Sequence, residues 1–263
     1  MATIDAQGRL LPSHGNVLGV YHYFHAKDYG KYDLTPEAPS IGIHHVTDSA
    51  LDYGEDDYDI AVVAKKVIAM IRGGRPYCAQ LYGGRDGQTA QIIKLTRATM
   101  GTEGNVIFLG KKHQANNLAL QIEWHNLGAV RLNGKKYGVK KDGKPKDVKG
   151  PDGAVYVRYS TNPQRADLRR EGNLLWQTVT TAQTISVAEI LLAALRRWPN
   201  LNPLDLLHGH YEIGRGGHID PGPCVIEALH EIGVKYLGLP KGFSVPAGVI
   251  MKTPIVVSAA PGA

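Results

Sequence analysis

Residues 208–223 read HGHYEIGRGGHIDPGP and set His210 and Asp220 ten residues apart, across a glycine-rich loop able to fold back on itself. A neutral imidazole nitrogen and a carboxylate oxygen are both suitable zinc ligands. A third ligand has to come from elsewhere, and His44 in the run SIGIHHV (residues 40–46) is the candidate supplier. A strand end would hold that side chain rigidly and leave it reachable. Three protein ligands plus one water make a catalytic zinc site rather than a structural one. His45 points to the opposite strand face from His44 and reads as structural or as a partner of a ligand. His208 lies two residues before His210, but the ten-residue spacing selects His210.

The elements that must position these residues are legible from periodicity. Residues 40–46 read as a short buried strand, and 118–124 (LALQIEW) as another. In 58–72, Ile60, Val63, Val67, Met70 and Ile71 recur at helical spacing before Gly73 and Gly74 stop the run. Arg85-Asp86-Gly87-Gln88 between two apolar stretches is a hairpin signal. The strongest helix is 186–198, with Ser186 and Glu189 as a capping box and Pro199 as its stop. A final helix is expected over 225–237. Alternation of strands and helices gives an α/β class. A single domain over 1–263 is expected, with its core at about 40–237 and an extension at 238–263.

The composition of the 263 residues is globular: 43% hydrophobic and 21% charged, which excludes a disordered or collagen-like chain. Two cysteines, Cys78 and Cys224, cannot build a disulfide scaffold and read as small buried hydrophobes. Eleven histidines against three Trp and three Phe direct attention to a histidine-based site. The first residues show neither a basic n-region nor an apolar h-region, so synthesis in the cytoplasm without a Sec leader is expected. No apolar run reaches the ~18 residues of a membrane span. The net charge of +6 resides in residues 131–149, where eight basic side chains face two acidic ones; the remainder sums to zero. That segment reads as an exposed basic loop or hairpin insertion, either solvated or drawn to an anionic wall. No nucleic-acid-binding signature accompanies the charge, so nucleic acid is not an expected partner.

The ordered set of motifs resembles the zinc-dependent N-acetylmuramoyl-L-alanine amidases, the family of phage lysozyme-type amidases, anhydromuramyl amidases and peptidoglycan recognition proteins. The carriers are Ile43-His44-His45, Arg85-Asp86-Gly87, Leu120-Gln121-Ile122-Glu123, Trp176 with Gln183, Gly209-His210 and Asp220-Pro221-Gly222-Pro223, over roughly residues 40–225. The resemblance implies a central mixed sheet flanked by helices, Zn2+ on His44, His210 and Asp220, and a monomer acting on peptidoglycan or muropeptides. The bond cut would join the lactyl group of N-acetylmuramic acid to L-alanine, in a phage-type endolysin or other lytic factor. It also implies a catalytic Glu123. Position 218 is usually lysine in active members and here is His218, preceded by Arg215-Gly216-Gly217 in place of Pro-Gly-Arg. A histidine there gives full positive charge to a developing oxyanion only when protonated. A peptidoglycan-binding module without catalysis is the alternative. The family's His-Ala-Gly feature is absent around residues 98–101, unless His113 substitutes for it. The tyrosines and histidines of residues 21–32 read as packing an N-terminal segment, with a saccharide groove as the sharper option, and His125 reads as solvated.

Overall fold

Residues 41–46 bury every side chain. A strand covered on both faces reads as a continuous apolar run rather than an alternating one, as parallel sheets require. The computed structural model describes residues 1–12, 20–22, 38–46, 60–73, 79–102, 104–126, 129–131, 148–149, 155–156, 168–171, 174–213, 220–243, 245 and 255–257. In chain order the elements are β1 (Thr3–Ile4), β2 (Leu10–Leu11), β3 (Val20–His22), β4 (Ile41–Val46), α1 (Ile60–Arg72), β5 (Leu81–Gly83), β6 (Thr89–Gln91), β7 (Asn105–Phe108), β8 (Lys111–Gln114) and β9 (Ala119–Trp124). They continue with β10 (Ala129–Arg131), β11 (Val148–Lys149), β12 (Val155–Tyr156), β13 (Leu168–Glu171), β14 (Leu174–Gln177), α2 (Thr181–Arg197), β15 (His208–Gly209), α3 (His210–Ile213), α4 (Pro223–Lys235) and β16 (Ile255–Val257).

The main sheet is mixed and six-stranded, in the order β15-β4-β9-β5-β6-β3. β15, β4, β9 and β5 run parallel, and β6 returns antiparallel to β5 through the expected Arg85–Gln88 turn. Alternation along the strands separates two apolar layers. Leu81, Ile122 and Trp124 pack with Val187 and Leu191 of α2 and with Val225 and Leu229 of α4. Tyr82 and Ala90 face the other way, against Ile60, Val63 and Val67 of α1. Ile41 and Ile43 share that second face with Val106, Ala115 and Ile213. The chain is thus α/β, a mixed sheet between helices. No helix among the described residues is long and apolar enough to cross a membrane.

Three local expectations need correction. α2 starts at Thr181, five residues before the expected Ser186 cap. The working capping box is Thr180 with Gln183: Gln183 N–H donates to Thr180 Oγ1 (3.1 Å) and Thr180 N–H to Gln183 Oε1 (3.2 Å). Ser186 instead lies inside the helix with its hydroxyl 3.1 Å from that of Thr89. The pattern occurs twice in the sequence, and the earlier copy also ties Thr180 Oγ1–H to the Arg85 carbonyl (2.6 Å), anchoring the helix start to the β5–β6 turn. The last long helix spans Pro223–Lys235, two residues earlier than expected, with Pro at its first position, where a missing N–H costs nothing. On α1, Met70 is 41% exposed while Ile60, Val63, Val67 and Ile71 are buried, so the apolar stripe is narrower than drawn.

Within the extension at 238–263, β16 pairs parallel with β7. Most of the basic insertion (132–147) lies outside the described residues, as do Cys78, Tyr23, His25, Tyr29 and Tyr32. Cys224 is buried, as expected.

Candidate metal centre

The parallel strands deliver their side chains to one end of the sheet. His45 is the penultimate residue of β4, Glu123 that of β9, and His210 follows directly on β15, so the three gather at the carboxyl ends of neighbouring strands. In an open α/β sheet that is where a site is built.

His45, His210 and Asp220 form a group whose potential ligand atoms all lie within 4.8 Å of one another. The His45 and His210 ring centroids are 4.3 Å apart. His210 Nδ1 sits 3.2 and 3.1 Å from the two Asp220 carboxylate oxygens, and His45 Nδ1 is 3.9 Å from Oδ2. The two segments are tied together by Tyr211 N–H, which donates to the Asp220 carbonyl at 2.9 Å. Burial, reinforced by the neighbouring His210, holds the His45 ring well below the usual histidine range despite the opposing pull of Asp220. The ring is therefore neutral, the form that binds metal.

These residues fit a zinc ion. Two nitrogens and one oxygen are the donor set it takes, and ligand atoms 2.0–2.2 Å from one ion lie about 3.4 Å apart in a tetrahedral site, a spacing that side-chain rotations from the present group, within 4.8 Å, can reach. His45 Nε2 is also buried without a well-formed hydrogen bond among the described residues, although Gln121 lies near enough to favour its charged form.

His44, the expected third ligand, is elsewhere. Its ring turns to the helix-covered face, where the Trp124 indole N–H donates to Nδ1 (3.0 Å) and Nε2 lies 2.9 Å from the Leu206 carbonyl oxygen. An indole N–H only donates, so Nδ1 accepts and Nε2 carries the proton given to Leu206. Burial pushes this ring down to about 4, outweighing the Leu206 contact, and keeps it neutral. With both nitrogens engaged, His44 has none to offer. The side-chain period of two puts His45 on the opposite face, beside His210 and Asp220.

The sequence held one signal for that choice of face. Gly42 shares the face of His44, and a Cβ there would sit 2.3 Å from the Leu206 carbonyl oxygen. A glycine inside a strand marks a close backbone approach, so the face of residues 42 and 44 is the one against which another segment's backbone packs.

Glu123 pairs in register with His45 across the parallel β4–β9 ladder and stands on the same face, half-buried. His218 lies outside the described residues. His125 is fully buried rather than solvated, and burial together with the Arg85 charge pushes it down to about 4. His113 lies on β8, its ring edge-on to Phe108 at 6.3 Å. Behind His210, the His208 ring is held up to about 9: burial opposes its charge, but the Asp205 and Glu212 carboxylates together outweigh that.

No protein-family model matches the sequence, and no curated protein matches it. Solved structures do. A selenomethionine derivative of AmpD is similar with a TM-score of 0.46 and 14% identity, over 80% of this chain and 93% of that one. AmiD from E. coli, an N-acetylmuramyl-L-alanine amidase, gives 0.40 and 14%, over 88% of this chain and 65% of that one. The endolysin LysCS from Clostridium intestinale, an N-acetylmuramoyl-L-alanine amidase, gives 0.41 and 14% identity, over 84% of this chain and 97% of its own.

Proposed function

We propose that the chain is a zinc-dependent N-acetylmuramoyl-L-alanine amidase, hydrolysing the amide between N-acetylmuramic acid and L-alanine in peptidoglycan. The observation that carries this reading is the convergence of His45, His210 and Asp220, with Glu123 across the strand from His45. The choice of peptidoglycan rests on the motif resemblance set out above.

His45, His210 and Asp220 would hold the ion. When bound, zinc supplies a positive charge that polarises the scissile carbonyl and lowers the pKa of water nearby. Glu123 accepts the proton of the attacking water and returns it to the leaving amine. His218 donates a hydrogen bond to the carbonyl oxygen as it gains charge, a contribution of ~3 kcal/mol to the barrier for donors of this kind. As a ligand, the Asp220 carboxylate would offset part of the ion's charge.

The setting is proposed as a lytic one, a phage-type endolysin or similar factor, on sequence resemblance alone. Digestion of purified sacculi followed by mass spectrometry of the soluble products is the test. Free L-alanine N-termini, lost in Asp220→Ala, are expected. Sacculus binding without any cleavage by zinc-loaded protein would favour the non-catalytic binding module, and glycan cleavage would overturn both.

A further inference from the structure

The cluster behind the metal centre contains a buried carboxylate with no part in the chemistry above. Glu212 is 3% exposed. One of its oxygens accepts the Gly209 backbone N–H at 2.6 Å, and the other lies 2.8 Å from His208 Nδ1. His208 in turn has Nε2 3.7 Å from Asp205 Oδ1. Residues 208, 209 and 212 therefore converge on one carboxylate, while the His210 ring between them faces Asp220.

The backbone there needs such a tie. α3 has only four residues, too few to hold itself together by helical hydrogen bonds. β15 has two residues and, among the described residues, pairs only with β4 at the edge of the sheet. Close packing leaves little room for adjustment: a Cβ at Gly209 would sit 2.4 Å from the Tyr211 ring and 2.8 Å from Pro221 Cδ. A buried carboxylate is costly to keep, and its best-attested use is to fix one arrangement among several.

We propose that Glu212 is a positioning residue for the metal centre: by clamping Gly209 N–H and His208 across the β15–α3 turn, it sets the direction in which His210 presents its ring. The inference rests on the zinc reading and deepens it, since Glu212 touches neither His45 nor Asp220 in the ligand group. The clamp acts on the ligand's backbone, and its loss leaves three ligands that no longer converge.

The test is zinc affinity of the full chain, measured by chelator competition, together with the visible absorption of the Co2+-substituted protein. Glu212→Ala is expected to bind zinc 10–100-fold more weakly, the usual range for loss of a residue that orients a ligand, and to shift the Co2+ bands. Glu212→Gln keeps an acceptor for Gly209 N–H and is expected to restore affinity to within about threefold. Should Glu212→Ala fail to fold, Glu212→Asp serves: it keeps the charge, draws it back by one methylene and must show the same weakening. A purely structural role would lower the melting temperature of the apoprotein and leave affinity and Co2+ bands unchanged, which overturns the proposal. Wild-type protein that binds no zinc overturns the amidase reading along with it, whereas wild-type binding with unaltered variants overturns the Glu212 inference alone.

Discussion

The Trp124 indole N–H donates to His44 Nδ1 at 3.0 Å, which fixes the His44 tautomer and directs its remaining proton to the Leu206 carbonyl. Three segments meet at this ring: β9 through Trp124, β4 through His44, and the 3-10 turn Leu204–Leu207 that leads into β15. Adjacent histidines on one strand thereby divide their work, one joining the sheet to the segment that brings His210, the other facing His210 itself.

The two histidines should separate in mutagenesis. His45→Ala is expected to retain the fold and to lose stoichiometric zinc. His44→Ala should keep zinc at low temperature while losing about 2–4 kcal/mol of stability, from a cavity and from an indole N–H and a carbonyl left unpaired. Metal analysis of purified variants, alongside denaturant unfolding, reads both. The reverse pattern would restore His44 as the ligand.

Glu123→Gln should bind zinc as the wild type does and release L-alanine N-termini from sacculi about 10²–10⁴-fold more slowly, the range for removing a positioned general base. Wild-type rates in this variant would leave Glu123 as an ordinary strand carboxylate.

Stability should peak near pH 6.5 and fall on both sides. His44 and His125 are each held at about 4 in the folded protein, against 6.5 when exposed. As pH falls from 6.5 to 4 the unfolded chain takes up protons that the folded protein refuses, so each ring removes about 3 kcal/mol across that window. His208, held up to about 9, acts in the opposite sense. Its contribution is complete below 6.5 and is lost as pH rises through 9. Denaturant unfolding of the metal-free protein from pH 4 to 9 measures both limbs. His208→Leu should flatten the alkaline limb, with a smaller softening of the acid limb because the His208 charge helps to hold His44 down, and an alkaline limb unchanged in that variant would sink the assignment.

Gly42→Ala should cost about 1–3 kcal/mol, because its Cβ would meet the Leu206 carbonyl oxygen at 2.3 Å and that backbone cannot swing aside as a long side chain would. The displaced carbonyl is the one His44 holds, so zinc affinity should fall together with the melting temperature. A variant with unaltered stability would show that the turn at 204–207 is loosely held.

The strands at 41–46 and 119–124, the hairpin around Arg85–Gln88 and the helices near 60–72 and 223–235 were legible because each has a period or a stop signal of its own. His210 and Asp220 were legible as a spaced pair within one loop. Which of His44 and His45 stands beside them was not, because Ile-Gly-Ile-His-His-Val is apolar or histidine at every position and gives no alternation from which to tell one face from the other. Gly42 carried that information as an absence of side chain, which only the Leu206 carbonyl makes intelligible. The α2 start was missed for a related reason: Ser186–Glu189 and Thr180–Gln183 match the same local pattern, and only the contact with Arg85 distinguishes them.

His45 lies 165 residues ahead of His210, and β15, which presents His210, sits at the edge of the sheet against β4. In a growing chain the first of the three candidate ligands is therefore synthesised long before the other two. A chain that stops short of residue 208 contains the residues of β4, β9 and Glu123, yet only one of the three candidate ligands. On the proposed zinc reading, metal loading would double as proof of completion: a polypeptide lacking the last fifth of the chain would lack two of the three candidate ligands.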